Sequence, residues 1–219
     1  MDDDRRPPSS ADRLRASGAA EARPLAKGVG GHGRSGSALA LLRRSLARPG
    51  GCADVEAYAG RVVDRLDALA RAQVAAEPTG RIGLQALIAD QMLRFRIREG
   101  ERLRLEGPDL WFRPWPGHVM ALAIHELAIN AIEHGALGGD GLLDVVWRLE
   151  GERLSLLWRE TGGTPTDAPA ATGFGMEMLG PVLREEFGAE TGLDWSGSGL
   201  VCRIAFPWSS TIGSAANEG

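Results

Sequence analysis

The chain has 219 residues, 43% hydrophobic and 25% charged, with a formal net charge of −4 and a pI near 5.6. That balance suits a globular protein of one or two domains and gives no electrostatic reason to expect nucleic acid as a partner. The most apolar window, 119–132, is interrupted by His125, Glu126 and Asn130, so no membrane partner is expected. The opening MDDDRRPPSS lacks the apolar core of a signal peptide. Cys52 and Cys202 form neither a CxxC nor a metal-ligand pattern, and a reducing cytoplasmic location is the default expectation.

Residues 1–36 are rich in Gly, Ser, Pro, Arg and Asp and poor in aliphatics, which predicts a disordered tail. Two helices follow within 37–78, one over 38–48 closed by Pro49-Gly50-Gly51 and one over 54–76. Val55, Tyr58, Val62, Leu66 and Leu69 recur at three and four, giving a helical hairpin whose apolar seam requires a partner, such as a second copy. From 79 to 208 the pattern changes to mixed helix and strand. A helical run over 82–98 precedes an alternating stretch at 102–105, then the helix 121–137, ALAIHELAINAIEHGAL. LLDVVWRL and LSLLWRE around Glu150-Gly151-Glu152 read as a hairpin, and 161–172 as an aperiodic loop. Gly173-Phe174-Gly175 opens a helix to Phe187, and two strands close the domain around 196–199. The last segment, 209–219, reads as a disordered tail.

The helix at 121–137 carries the chemistry. Glu126, Asn130 and Glu133 stand at i, i+4 and i+7 on one stripe beside His134, opposite an apolar arc of Ile124, Leu127, Ala128, Ala131 and Ile132. A carboxylate and an amide one turn apart suit Mg²⁺, which takes oxygen ligands and completes its octahedron with waters and phosphate oxygens; a solvated polar stripe is the alternative. His125 plots onto the apolar arc, as a buried structural histidine does, and HExxH fails because residue 129 is Ile129. Gly173 and Gly175 offer close backbone approach to a phosphate at a helix start. The GxGxxG at Gly28, Gly30 and Gly33 follows no strand and is not a nucleotide fingerprint. Glu160, where a strand enters the Gly162-Gly163 loop, is either an acceptor for a ligand amino group or an exposed edge charge.

Taken in order over roughly 38–207, these boxes resemble the HWE family of signal-transduction histidine kinases: His125 in HELAINAIEHGAL, Trp158 and Glu160 in WRETGGTP, GFGMEML as a second glycine box, and GLVCRIAFP as a final strand. The resemblance implies an α+β fold, a helical-hairpin dimerisation segment followed by a GHKL-type (Bergerat) two-layer α/β sandwich with a mixed sheet. It implies a kinase binding ATP and Mg²⁺, with Asn130 holding the metal, Glu126 as base or water-orienting group, and His134, Glu160, Gly162, Gly173 and Gly175 lining the nucleotide site. Residues 161–172 would form its lid. It further implies a homodimer that passes the γ-phosphoryl group to a histidine and then to the receiver domain of a response regulator.

Two positions depart from the family pattern. Glu133 replaces a usual lysine, placing negative charge where phosphates approach. The phosphoacceptor box is replaced by HGRSGSALALL, leaving His32, outside the catalytic helix, as the one candidate phosphoacceptor, with a plain tail histidine as the alternative. A degenerate binding member, or a Ser/Thr kinase of the anti-sigma-factor type in the same superfamily, are the competing readings.

Overall fold

The structure, a computed structural model, describes residues 38–47, 54–163, 173–195 and 199–216. The 1–36 segment with His32 and the glycines at 28, 30 and 33, Cys52, and most of the expected lid (164–172) lie outside the described residues.

Helices α1 (Ala38–Leu46) and α2 (Val55–Ala76) pack together; the second is capped by Asp54, whose carboxylate accepts from the Ala57 amide at 2.8 Å. The Tyr58 hydroxyl ties the pair by donating to the Leu46 carbonyl at 2.8 Å. The chain continues through β1 (Ile82–Gly83), α3 (Leu84–Leu93), β2 (Leu103–Glu106), β3 (Leu110–Phe112) and the 20-residue α4 (Pro114–Glu133). Then come β4 (Leu142–Glu150), β5 (Arg153–Thr161), α5 (Phe174–Glu177), a π-helical turn (Met178–Val182), α6 (Leu183–Phe187), β6 (Glu190–Asp194), β7 (Val201–Pro207) and β8 (Gly213–Ala215). The π turn holds Pro181, which has no amide hydrogen to keep the α register.

The main sheet runs β2-β4-β5-β7-β6, with β2 parallel to β4 and every other pair antiparallel, so it is mixed. Its period-2 pattern buries one face: Leu143, Val145 and Trp147 on β4, Leu154, Leu156 and Trp158 on β5, and Cys202, Ile204 and Phe206 on β7. The helices cover that face, giving two layers. The β4–β5 turn places Gly151 at φ +57°, a left-handed conformation that favours glycine. Phe112, Phe187, Phe206 and Trp208 stack at one end, with Phe187 and Phe206 centroids 4.8 Å apart. Burial pushes the Cys202 thiol up to about 12, so it is a small core residue and not a nucleophile. No helix among the described residues is long and apolar enough to cross a membrane.

Two expectations are corrected. Residues 209–216 are ordered: the Trp208 amide donates to the Glu152 carbonyl, and β8 pairs with β3 in a small β1-β3-β8 sheet that the short runs Ile82–Gly83 and Leu110–Phe112 did not announce. The helix expected over 82–98 is only Leu84–Leu93, and Arg96, at φ +60°, follows its end. Helix α2 also buries a second face, beside the expected seam. Arg65, Ala68, Leu69, Ala72 and Ala76 are buried against α4, because alanines let the helices approach and ion pairs flank them. Val55 and Leu66 are left exposed.

Candidate functional site

Between Pro116 and Ala128 helix α4 is buried on all sides, more than its polar stripe suggested, because α2 covers the side that a two-layer sandwich alone would leave open. Glu126 is therefore 5% exposed, and its charge is met from α2. Arg65 Nε donates to Oε1 at 2.7 Å and Nη2 to Oε2 at 3.2 Å. A buried carboxylate without such a partner costs several kcal/mol, of order 3–5. The Arg65 guanidinium also lies 4.4 Å from the centre of the Phe174 ring.

Gly175 closes the far side of Glu126. A β-carbon there would stand 3.1 Å from Glu126 Oε2 and 3.9 Å from Asn130 Nδ2. The glycine box, Glu126 and Asn130 thus meet at one point, with Asn130 half-buried one turn beyond Glu126. Glu133, a further turn on, is exposed and paired with Arg61, so its charge is met from the hairpin. His134 caps the helix end with its side chain 64% exposed, its Nε2 3.7 Å from Glu133.

The same hairpin is tied down along its length. Arg94 of the segment after α3 pairs with Asp64, Arg71 with Asp90 at 2.8 Å, and Arg44 of α1 with Glu177 at 3.1 Å and with Glu185.

His125 faces away from this pocket. Its Nδ1 is 3.2 Å from Gln91 Oε1, an oxygen that also accepts from Arg71 Nη2 at 3.1 Å, so Nδ1 carries the proton. Burial first, and then the arginines at 94, 65, 71 and 61, push His125 down to about 3; it is a neutral donor that ties α4 to α3.

The other end of the site is the middle of the sheet. Glu160 is 3% exposed on the central strand β5, which excludes an edge charge. Its Oε2 accepts from the Ala136 amide at 3.0 Å and its Oε1 from Trp158 Nε1 at 3.1 Å; burial raises its carboxyl above the ordinary range against those two bonds. Each oxygen keeps acceptor capacity for another donor. Glycines make the fit. A β-carbon on Gly135 would collide with Glu160 Oε2, one on Gly199 would stand 2.7 Å from Glu160 Cβ, and Gly162, at φ +82°, would bring one 3.2 Å from Gly141 Cα.

Arg102, from the turn before β2, holds the loop beside Glu160 by donating to the carbonyls of Gly141 at 2.9 Å and Leu137 at 3.2 Å. Sequence reading missed Arg65, Arg102, Gly135, Gly141 and Gly199. None lies in a periodic pattern with the helix stripe; the GALGG run after His134 was the one available signal.

No family model matches the chain. Among curated proteins it is 32% identical over 179 residues to a blue-light-activated histidine kinase of Rhizobium johnstonii, covering 80% of this chain and 51% of that protein. It is 30% identical over 129 residues to a protein of the same name from Brucella ovis, covering 57% and 26%. Among solved structures it is similar to the blue-light activated histidine kinase of Erythrobacter litoralis EL346, with a TM-score of 0.53 at 20% identity, over 69% of this chain and 49% of that one. The separate histidine kinase domain of that protein gives the same score over 68% and 76%.

The fold is that of a GHKL-type histidine kinase domain preceded by a helical segment. Over that span the chain is similar to blue-light-activated histidine kinases, and it carries His125, Trp158 and Glu160, the three residues on which its sequence resembles the HWE family, at the positions just described. It spans about half the length of the first of these curated relatives.

Proposed function

We propose that the chain is the kinase core of a two-component signalling protein, binding Mg-ATP and passing its γ-phosphoryl group to a histidine and then to the receiver domain of a response regulator. The observation that carries this reading is the meeting of Glu126, Asn130 and Gly175 at one end of a site whose other end is the buried acceptor Glu160.

The donor set fits a metal that arrives with its nucleotide. No cluster of three or more His, Cys, Asp or Glu among the described residues could hold an ion by itself, while a single amide oxygen from Asn130 beside phosphates is the sparse protein contribution Mg²⁺ accepts. Mg²⁺ would supply charge neutralisation on the transferring phosphoryl group. The chain's own residues then have distinct tasks. Asn130 fixes the metal, and Glu126 accepts a proton or orients the attacking group once its oxygens are free. Glu160 accepts from the adenine amino group, Gly173 and Gly175 admit the phosphates to the backbone at the start of α5, and Gly162 and His134 line the rim.

His32 is the candidate phosphoacceptor and lies outside the described residues. A homodimer finds support in the outward face of α2, where Val55, Val63, Leu66 and Val74 are exposed on one side. A second reading, a regulatory member that binds a partner kinase or regulator without catalysis, is favoured by the docking of the hairpin onto Glu126. Incubation with γ-labelled ATP separates them. Acid-labile label on the wild type, absent from His32→Ala, supports the kinase, and no label under any metal condition sinks autophosphorylation.

A further inference from the structure

Resting on the Mg-ATP reading, we propose that Arg65 is a nucleotide-binding residue: the guanidinium that holds Glu126 when the site is empty and is taken over by the phosphates of the bound nucleotide. Four observations carry this. Arg65 is 5% exposed yet belongs to the hairpin and not to the sandwich, so its burial exists only while α2 is docked. Its Nε and Nη2 both donate to Glu126, and its guanidinium lies over Phe174, the residue between the two glycines of the phosphate-side box. A β-carbon on Gly175 would stand 3.1 Å from Glu126 Oε2, the oxygen that Arg65 Nη2 also reaches, so Arg65, Glu126 and the glycine box share one small space. Finally, α4 carries neither lysine nor arginine, and Arg61, half-buried, is engaged with Glu133. The cation that α4 lacks is therefore supplied from α2, one turn along, by Arg65.

The exchange is chemically matched. Arginine presents a planar fork that fits a phosphate as well as it fits a carboxylate, with charge-assisted bonds in both cases. Glu126 cannot take a proton or orient an attacking group while both of its oxygens are held by Arg65. Arrival of a polyanion solves both problems together: the phosphates gain a buried cation and Glu126 is released. The hairpin remains docked throughout, held by Asp64–Arg94 and Arg71–Asp90, neither of which involves Glu126 or the glycine box. Nucleotide occupancy and the release of Glu126 are thereby coupled through one side chain of the hairpin.

The test is calorimetric titration of the full chain with Mg-ATP and with adenosine, for wild type, Arg65→Ala, Arg65→Lys and Asn130→Ala. Hydrogen exchange of α2 is followed with and without Mg-ATP. Arg65→Ala is expected to weaken Mg-ATP by about tenfold or more while adenosine changes by less than about twofold, with Arg65→Lys between. Added Mg-ATP should raise protection around residue 65 in the wild type and fail to do so in Arg65→Ala. Equal or tighter Mg-ATP binding by Arg65→Ala overturns the proposal and makes Arg65 a lock on Glu126 alone. Equal loss of ATP and adenosine affinity overturns it in favour of a structural role, as does Arg65→Lys behaving like Arg65→Ala in a normally folded protein. A wild type that binds adenosine and Mg-ATP no better than Asn130→Ala removes the nucleotide reading itself, a result distinct from the failure of Arg65.

Discussion

Trp158 Nε1 donates to the Glu160 carboxylate, two residues further along the same strand, at 3.1 Å. On β5 a spacing of two puts both side chains on the buried face, so the indole that fills the core also orients the one carboxylate the sheet carries inward. Trp158→Phe keeps most of the ring but removes the donor. Denaturant unfolding should show a loss of about 1–3 kcal/mol, from a buried acceptor left short of a partner. Because Glu160→Gln removes the charge that the indole serves, the double variant should lose less than the sum of the two; strict additivity would show that the bond carries no coupling.

His125 sets a pH dependence with a definite sign. Its folded value is lowered to about 3 from 6.5, so the unfolded chain binds the extra proton between those values and stability falls as pH drops through that window. Near pH 5 the cost is about 2 kcal/mol at 1.36 kcal/mol per unit. Glu160, raised by burial, acts in the opposite sense, losing stability as pH rises through its folded value. The comparison that isolates His125 is thus wild type against His125→Asn between pH 7 and 4.5, where the variant's curve should be the flatter one. Parallel curves would remove His125 from the acid response.

Gly135 lies where any β-carbon would meet Glu160 Oε2. Gly135→Ala should cost about 1–3 kcal/mol through overpacking. By displacing the carboxylate it should also narrow the preference for ATP over GTP in competition binding. An unchanged preference would detach Glu160 from base reading.

Glu133 and Arg61 are each about one-third exposed, so their pairing contributes little to stability, roughly 0.2–1 kcal/mol. Its effect is expected in charge placement. Glu133→Lys should tighten Mg-ATP a few-fold, by Coulomb attraction of the phosphates, and raise hydrogen exchange near residue 61. Arg61→Glu combined with Glu133→Lys should restore protection there. Weaker ATP binding by the single variant would mean that Glu133 is not beside the phosphates.

The main sheet was legible because its strands are long and alternate strictly, and because Glu150-Gly151-Glu152 announces its own turn. The small sheet was not: β1, β3 and β8 are two or three residues each, too short to show a period, and β8 exists only by pairing with β3. The stripe Glu126–Asn130–Glu133 follows from helical spacing alone, but what surrounds it does not. Arg65 sits 61 residues from Glu126, and its role depends on which face of α2 turns inward. Leucine and valine spacing marks the face with Val55 and Leu66, which stays exposed, whereas the face docked on α4 carries Arg65, Ala68 and Ala72, whose small and charged side chains give no apolar period. Gly199 likewise reaches Glu160 only through the β5–β7 pairing.

The central claim, that α4 carries a Mg-nucleotide site, is tested most directly by titrating Mg-ATP into the wild type and into Asn130→Ala, with and without EDTA. The account predicts measurable binding by the wild type, loss of about tenfold or more on removing either the metal or the Asn130 amide, and an unchanged unfolding midpoint for the half-buried variant. Equal binding by both proteins, insensitive to EDTA, would contradict it.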